Sequence, residues 1–185
     1  MKIIQTDIPD VFLIEPKVFG DKRGYFFESF NHKIFQEQKL PTTFVQDNIS
    51  RSEKYVLRGL HYQIEHAQGK LVFVLDGKVF DVAVDLRKGS KTFGKHVSVV
   101  LSADTPRLIW IPPGFAHGFL VMSEFATIFY KVTDFYAPYA ERTIMWNDPT
   151  LAIAWPLDKD TQPLLSKKDA SGVSFSNAET YGSDR

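Results

Sequence analysis

The 185-residue chain carries 22 basic and 22 acidic side chains, so no global charge draws it to nucleic acid or a membrane surface, although a local basic pocket is still allowed. Cysteine is absent, which excludes a disulfide scaffold and a thiolate metal site. No stretch approaches the roughly 20 apolar residues of a membrane span. The start, Met1-Lys2-Ile3-Ile4-Gln5-Thr6-Asp7, lacks the apolar core of a signal peptide, so the expectation is a cytoplasmic protein with one domain over 1–185.

In chain order, the first clear element is a helix over 31–38 with Asn31 as its N-cap. The run Val56-Leu57-Arg58-Gly59-Leu60-His61-Tyr62-Gln63 is the densest polar constellation. Strict alternation places Arg58 and His61 on opposite strand faces; a bulge at Gly59 would turn both inward. Strands are predicted over 70–75, 79–86, 96–101, 107–111, 119–122 and 125–133. Within 79–86, Phe80, Val82, Val84 and Leu86 share one face. The breaks have turn chemistry: Asp76-Gly77 marks a hairpin, Arg87-Lys88-Gly89-Ser90 a looser turn, Pro112-Pro113-Gly114 a sharp reversal. The polar segment 174–185 reads as a loosely held tail. Many short strands at close spacing predict an all-β sandwich or barrel, whose edge strands make dimerisation a reasonable default.

Each candidate for chemistry has a plainer reading beside it. His61 has the near-neutral titration of imidazole to recommend it, yet a lone histidine is more often structural. Lys70 opens a strand, where a lysine is usually a solvated charge. His117 follows a turn and sits next to Gly118. Asp81 and Asp85 lie on the face opposite Phe80; a carboxylate there can orient a histidine such as His117, or can simply be exposed. Tyr130 shares a face with Ile128 and Val132, which puts a phenol on an inward face where packing alone would explain it.

Taken together, several strings resemble the dTDP-4-dehydrorhamnose 3,5-epimerase family. They are Phe19-Gly20-Asp21-Lys22-Arg23-Gly24-Tyr25-Phe26-Phe27-Glu28-Ser29-Phe30, Phe44-Val45-Gln46-Asp47-Asn48, Leu57-Arg58-Gly59-Leu60-His61, Gln68-Gly69-Lys70-Leu71-Val72, Phe80-Asp81-Val82-Ala83-Val84-Asp85, Ile111-Pro112-Pro113-Gly114-Phe115-Ala116-His117-Gly118-Phe119 and Trp146-Asn147-Asp148-Pro149. The resemblance spans nearly the whole chain, to Ser166-Lys167-Lys168-Asp169. It implies a cupin-like antiparallel jelly-roll barrel with a few short helices, a homodimer, a dTDP-sugar substrate in dTDP-L-rhamnose biosynthesis, and neither cofactor nor metal. It implies His61 as general base, Tyr130 as general acid, Asp169 as the carboxylate that orients the base, and Lys70 as the cation at the keto oxygen. Arg23, Glu28, Gln46, Asp47, Asn48, Arg58, His117, Glu141 and Lys168 match substrate-contact positions, and Tyr136 the aromatic that stacks on thymine. Arg23 and Glu28 would serve the neighbouring subunit's site.

The chemistry suits these residue types on its own terms. Hydrogens on C3 and C5 of a 4-keto sugar are both α to one carbonyl, so one base, one opposed acid and one cation on the developing enolate suffice for both carbons. Arginine's planar fork suits a diphosphate. A metal-dependent cupin is the first rival reading; it normally offers His-x-His, where this chain has His61-Tyr62-Gln63, and Gln is a poor transition-metal ligand. The others are a non-catalytic sugar-nucleotide-binding jelly roll and an epimerase acting at one carbon only.

Overall fold

The computed structural model describes residues 1–182. Along the chain come β1 (Lys2–Gln5), β2 (Phe12–Glu15), a hairpin of β3 (Phe19–Asp21) and β4 (Gly24–Phe26), and helix α1 (His32–Glu37). The barrel strands follow: β5 (Gln46–Glu53), β6 (Leu57–Gln63), β7 (Lys70–Asp76), β8 (Lys78–Asp85), β9 (His96–Ser102), β10 (Leu108–Ile111), β11 (Phe115–Val121) and β12 (Phe125–Val132). The short β13 (Glu141–Thr143) and helix α2 (Lys167–Ala170) complete the set. One sheet runs β1-β2-β10-β7-β12-β5 and the other β13-β6-β11-β8-β9, and every strand pairing within them is antiparallel. This is the all-β architecture that the strand pattern predicts, in the jelly-roll form that the resemblance implies.

Side-chain alternation fills three layers. Val72, Val74, Ile109, Ile111, Phe115, Phe119, Ala126 and Ile128 close the space between the sheets with Ala83, Val97 and Leu101. The outer face of the six-stranded sheet packs Leu71, Phe73, Leu108 and Trp110 against Phe35 of α1 and its flanks. Asn31 caps that helix by accepting from the Ile34 N–H at 3.3 Å. The outer face of the other sheet carries Val82, Val84 and Leu86 under Ile144, Leu151 and Trp155. Both faces of β8 are therefore covered, and Asp81 and Asp85 are fully buried rather than solvent-exposed. Burial alone would raise the Asp85 carboxyl, but donors from Arg87, Ser90 and Thr92 outweigh it and hold the group down to about 2. That carboxylate organises the turn after β8.

Two local expectations change. The strand predicted over 119–122 begins earlier, at Phe115, directly after the reversal that carries the chain from one sheet to the other. Gly118, with no side chain, interrupts the pattern that would reveal it. The expectation of a loose tail does not hold for 174–182: Phe175, Ala178 and Tyr181 pack on the outer core, and Tyr181 bridges to Arg87. Apolar anchors spaced among polar residues hold that segment, which average polarity conceals. Residues 183–185 lie outside the described residues.

The expected bulge at Gly59 is present and fixes the site. On β6, Gly59 and Leu60 stand opposite the single residue Gly118 of β11, because His61 pairs with His117 and Arg58 with Phe119. This is a bulge of the kind Gly59 permits. Gly59 has φ +117°, and a Cβ there would lie 2.5 Å from Gly118 Cα. Gly59→Ala is expected to cost about 3 kcal/mol in urea unfolding; a loss under about 0.5 kcal/mol would contradict this account of the bulge.

Candidate functional site

A cavity of about 360 Å³ opens between the sheets. The six-stranded sheet lines it with Gln46, Asn48 and Ser50 of β5, Lys70 of β7, and Ile128 and Tyr130 of β12; the five-stranded sheet supplies Arg58 and His61 of β6 and His117 of β11. Tyr136, Glu141 and Lys168 complete its rim. Period-two alternation explains the β5 set: Gln46, Asn48 and Ser50 turn in, while Asp47, Ile49 and Arg51 are exposed.

His61 lies on the inner face of β6, and its Nε2 is 2.7 Å from Oδ1 of Asp169. The ring N–H is not well aligned on that oxygen. Asp169 is 4% exposed and sits at the third position of α2, where it forms a capping box with Ser166. Its Oδ1 also accepts from the Gly59 N–H at 2.9 Å. Burial would raise this carboxyl, but contacts from His61, Ser166 and Gly59 prevail and hold it well below the usual carboxylate range. With Nε2 turned to Asp169, the other ring nitrogen is the one left for the cavity.

A second imidazole–carboxylate pair lies beside the first. His117 Nε2 is 2.9 Å from Oδ2 of buried Asp81, and His117 is the cross-strand partner of His61. Lys70 is 9% exposed; burial lowers its ammonium to about 8, with Glu141 opposing the shift. Burial raises the Tyr130 phenol, partly countered by Arg58 and Lys168, so Tyr130 keeps its proton at neutral pH. Around the rim, Lys168 Nζ donates to Glu141 Oε1 at 2.9 Å and the Tyr136 hydroxyl to Glu141 Oε2 at 3.1 Å. Gln46 Nε2 donates to Asn48 Oδ1, and Arg58 Nε to Ser52 Oγ.

Three expected contact residues stand elsewhere. The Asp47 side chain faces outward and takes both oxygens to Lys131 Nζ at 2.7 and 2.9 Å, a consequence of strand alternation. Arg23 forks onto Asp21 in the β3–β4 hairpin, and Glu28, just beyond it, accepts from Asn31. Neither Arg23 nor Glu28 is among the residues lining this chain's own cavity. Sequence reasoning missed Ser50, Tyr62, Gln63, Gln68, Gly118, Phe119 and Ile128 as lining residues; the Gln46–Asn48 phase would have found Ser50. Gln63 has its amide spent on backbone, donating to His66 O and Phe135 O and accepting from the Ala137 N–H. Among the described residues no cluster of three His, Cys, Asp or Glu side chains could hold a metal ion.

Fold and cavity together define a cupin-like jelly-roll protein with a histidine-bearing polar pocket between its sheets. The family model for dTDP-4-dehydrorhamnose 3,5-epimerase matches residues 5–177. The dTDP-4-dehydrorhamnose 3,5-epimerase of Pseudomonas aeruginosa is 59% identical over 182 residues, covering 98% of this chain and 99% of that protein. The crystal structure of the dTDP-6-deoxy-D-glucose-3,5-epimerase of Legionella pneumophila, in complex with dTDP-4-keto-L-rhamnose, superposes with a TM-score of 0.92 at 53% identity, covering 96% and 94% of the two chains. A 3'-monoepimerase from Streptomyces bikiniensis, in complex with dTDP-quinovose, gives 0.87 at 32% identity over 94% and 87%. This chain belongs to the dTDP-4-dehydrorhamnose 3,5-epimerase family.

Two measurements check the electrostatics. Nuclear magnetic resonance of methyl-labelled lysines should find Lys70 titrating near pH 8; a midpoint above about 10 would show that burial does not govern it. Because the Asp169 pKa is depressed on folding, its contribution to stability is present above the unfolded value of about 3.9 and disappears as pH falls through the folded value. Asp169→Asn should therefore cost about 2 kcal/mol at pH 7 and progressively less below pH 4. A cost independent of pH would contradict the assignment.

Proposed function

We propose that the chain epimerises dTDP-4-dehydro-6-deoxy-D-glucose at C3 and C5, giving dTDP-4-dehydro-L-rhamnose through enolate intermediates. The observation that carries this reading is the opposition of His61 on one sheet and Tyr130 on the other across a single cavity. An imidazole whose second nitrogen meets a carboxylate is suited to remove the hydrogen α to a keto group. A protonated phenol from the opposite sheet is suited to return one on the other face, which inverts the carbon. Lys70, charged below about pH 8, offsets negative charge on the keto oxygen. Gln46, Asn48, Arg58, His117, Glu141, Lys168 and Tyr136 hold the nucleotide sugar, and no metal takes part, since the amide of Gln63 is already bound to backbone.

The same reading has the enzyme working as a single-domain cytoplasmic homodimer in which Arg23 and Glu28 complete the binding surface of the neighbouring subunit. It is supported by the exposed Phe19, Tyr25 and Phe26 of the β3–β4 arm, an apolar surface suited to a partner. No helix of the described residues is long and apolar enough to cross a membrane. Likeness to a 3'-monoepimerase supports a second reading, inversion at one carbon only.

Incubation with dTDP-4-dehydro-6-deoxy-D-glucose in D₂O separates the two readings. Deuterium at both C3 and C5 of the product is expected; label at one carbon would favour the second reading. His61→Ala should lower exchange at both carbons by at least about 10³-fold. In Tyr130→Phe, epimerised product should fall far more than exchange does. Equal and complete loss of exchange in both variants, with folding intact, would refute the separate roles of base and acid.

A further inference from the structure

The C-terminal segment meets β6 from the side opposite the cavity, and it does so through two tyrosines. Tyr62 points outward from β6, and its hydroxyl donates to Glu179 O at 2.6 Å. The hydroxyl of Tyr181 donates back to Gln63 O, so each element gives one phenol and accepts the other. The rings pack edge to face, with centroids 6.2 Å apart and planes at 62°. Around them the segment is tied to neighbouring strands. The Arg142 guanidinium of β13 pairs with Glu179, the Tyr181 N–H donates to Leu86 O at 3.0 Å, and the Lys88 N–H donates to Tyr181 O at 2.9 Å. Burial raises both phenols, so both remain donors across neutral pH.

The place of this contact gives it a consequence for the site. The cavity residue His61 directly precedes Tyr62, and alternation sends the two side chains to opposite faces of β6. On one flank β6 is held by β11, and on the other by the three residues of β13 together with backbone bonds from Leu60 to Ile144 and from Leu57 to Leu164. The end of β6 that carries His61 is also next to Gln63, whose amide holds the backbone of Phe135 and Ala137 on either side of Tyr136. A phenol bond to Gln63 O on the outer face therefore restrains both the strand under His61 and the segment bearing Tyr136.

We propose that Tyr62 and Tyr181 are positioning residues, a reciprocal clamp that sets the aim of His61 at the sugar from the far side of β6. The proposal rests on the epimerase reading, which the wild-type exchange experiment tests separately. Misplacement of a reacting group by an ångström costs orders of magnitude in rate, so a partial loosening should be visible in turnover.

The test uses Tyr181→Phe and Tyr62→Phe in the full chain, each keeping its ring and losing one hydroxyl. Phe12→Leu, in the outer layer of the other sheet, serves as a control chosen for a comparable fall in melting temperature. At 25 °C, with circular dichroism showing all proteins folded, both tyrosine variants should lose about tenfold in kcat for hydrogen exchange at C3 and C5, with KM changing less than kcat, while Phe12→Leu keeps the wild-type kcat. In an Asp169→Asn background, where His61 is already released, the further loss from Tyr181→Phe should shrink below about twofold. Wild-type kcat in folded Tyr181→Phe and Tyr62→Phe, or a full tenfold loss retained on Asp169→Asn, would overturn the proposal and leave the tyrosines a purely structural tie.

Discussion

One carboxylate oxygen joins the two halves of this molecule. Oδ1 of Asp169 meets both the Gly59 N–H and Nε2 of His61, so a residue from the C-terminal segment reaches the bulge in β6 and the imidazole beyond it. A buried backbone N–H without a partner costs about 1–3 kcal/mol, and the bulge removes Gly59 from the regular ladder. Asp169 meets that need, and the bulge in turn allows Arg58 and His61 to line the same cavity. Each feature requires the other. The charge remains tolerable in the interior because the Ser166 hydroxyl and backbone N–H both donate to its other oxygen.

The layered packing explains how a small barrel holds a polar pocket. Hydrophobic residues fill the inter-sheet space, while the outer faces are sealed by segments that contribute few strands, α1 on one side and the chain from Ile144 to Tyr181 on the other. The sealed outer face of β8 and β6 lets strands with polar inner residues stay buried on both sides. His117–Asp81 and His61–Asp169 can then stand on neighbouring strands, each carboxylate within reach of its histidine and closed off from water. The low exposure of Lys70 belongs to the same arrangement: removal from water makes its charge costlier to hold and its field at the cavity stronger.

The fold was largely legible because alternating apolar runs and turn residues carry physical meaning wherever hydrophobic burial sets the phase. Strands β7, β8, β9, β10 and β12 and the cap at Asn31 follow from that rule alone. β5 does not, because its inward residues are Gln46, Asn48 and Ser50; a strand that faces a polar cavity inverts the signal. β1 and β2 are not among the predicted strands, and β13, with three residues, is too short to show a period. For the site, Gly59 gave a local reason to bring Arg58 and His61 together, and strand phase paired Asp81 with His117. Asp169 was beyond such reasoning, since 108 residues separate it from His61 and only the family resemblance linked them. Arg23 and Glu28 stand away from this chain's own cavity, where the local pattern of a single chain has little to say about their use.

The account turns on His61 presenting a bare nitrogen to the cavity while Asp169 holds the other. The ¹⁵N chemical shifts of the His61 ring, in the neutral form of the wild-type protein, test this most directly. The proton is predicted on Nε2, with Nδ1 showing the shift of an unprotonated imidazole nitrogen, and Asp169→Asn should disturb that preference. A proton residing on Nδ1 would leave no base facing the sugar and would contradict the account.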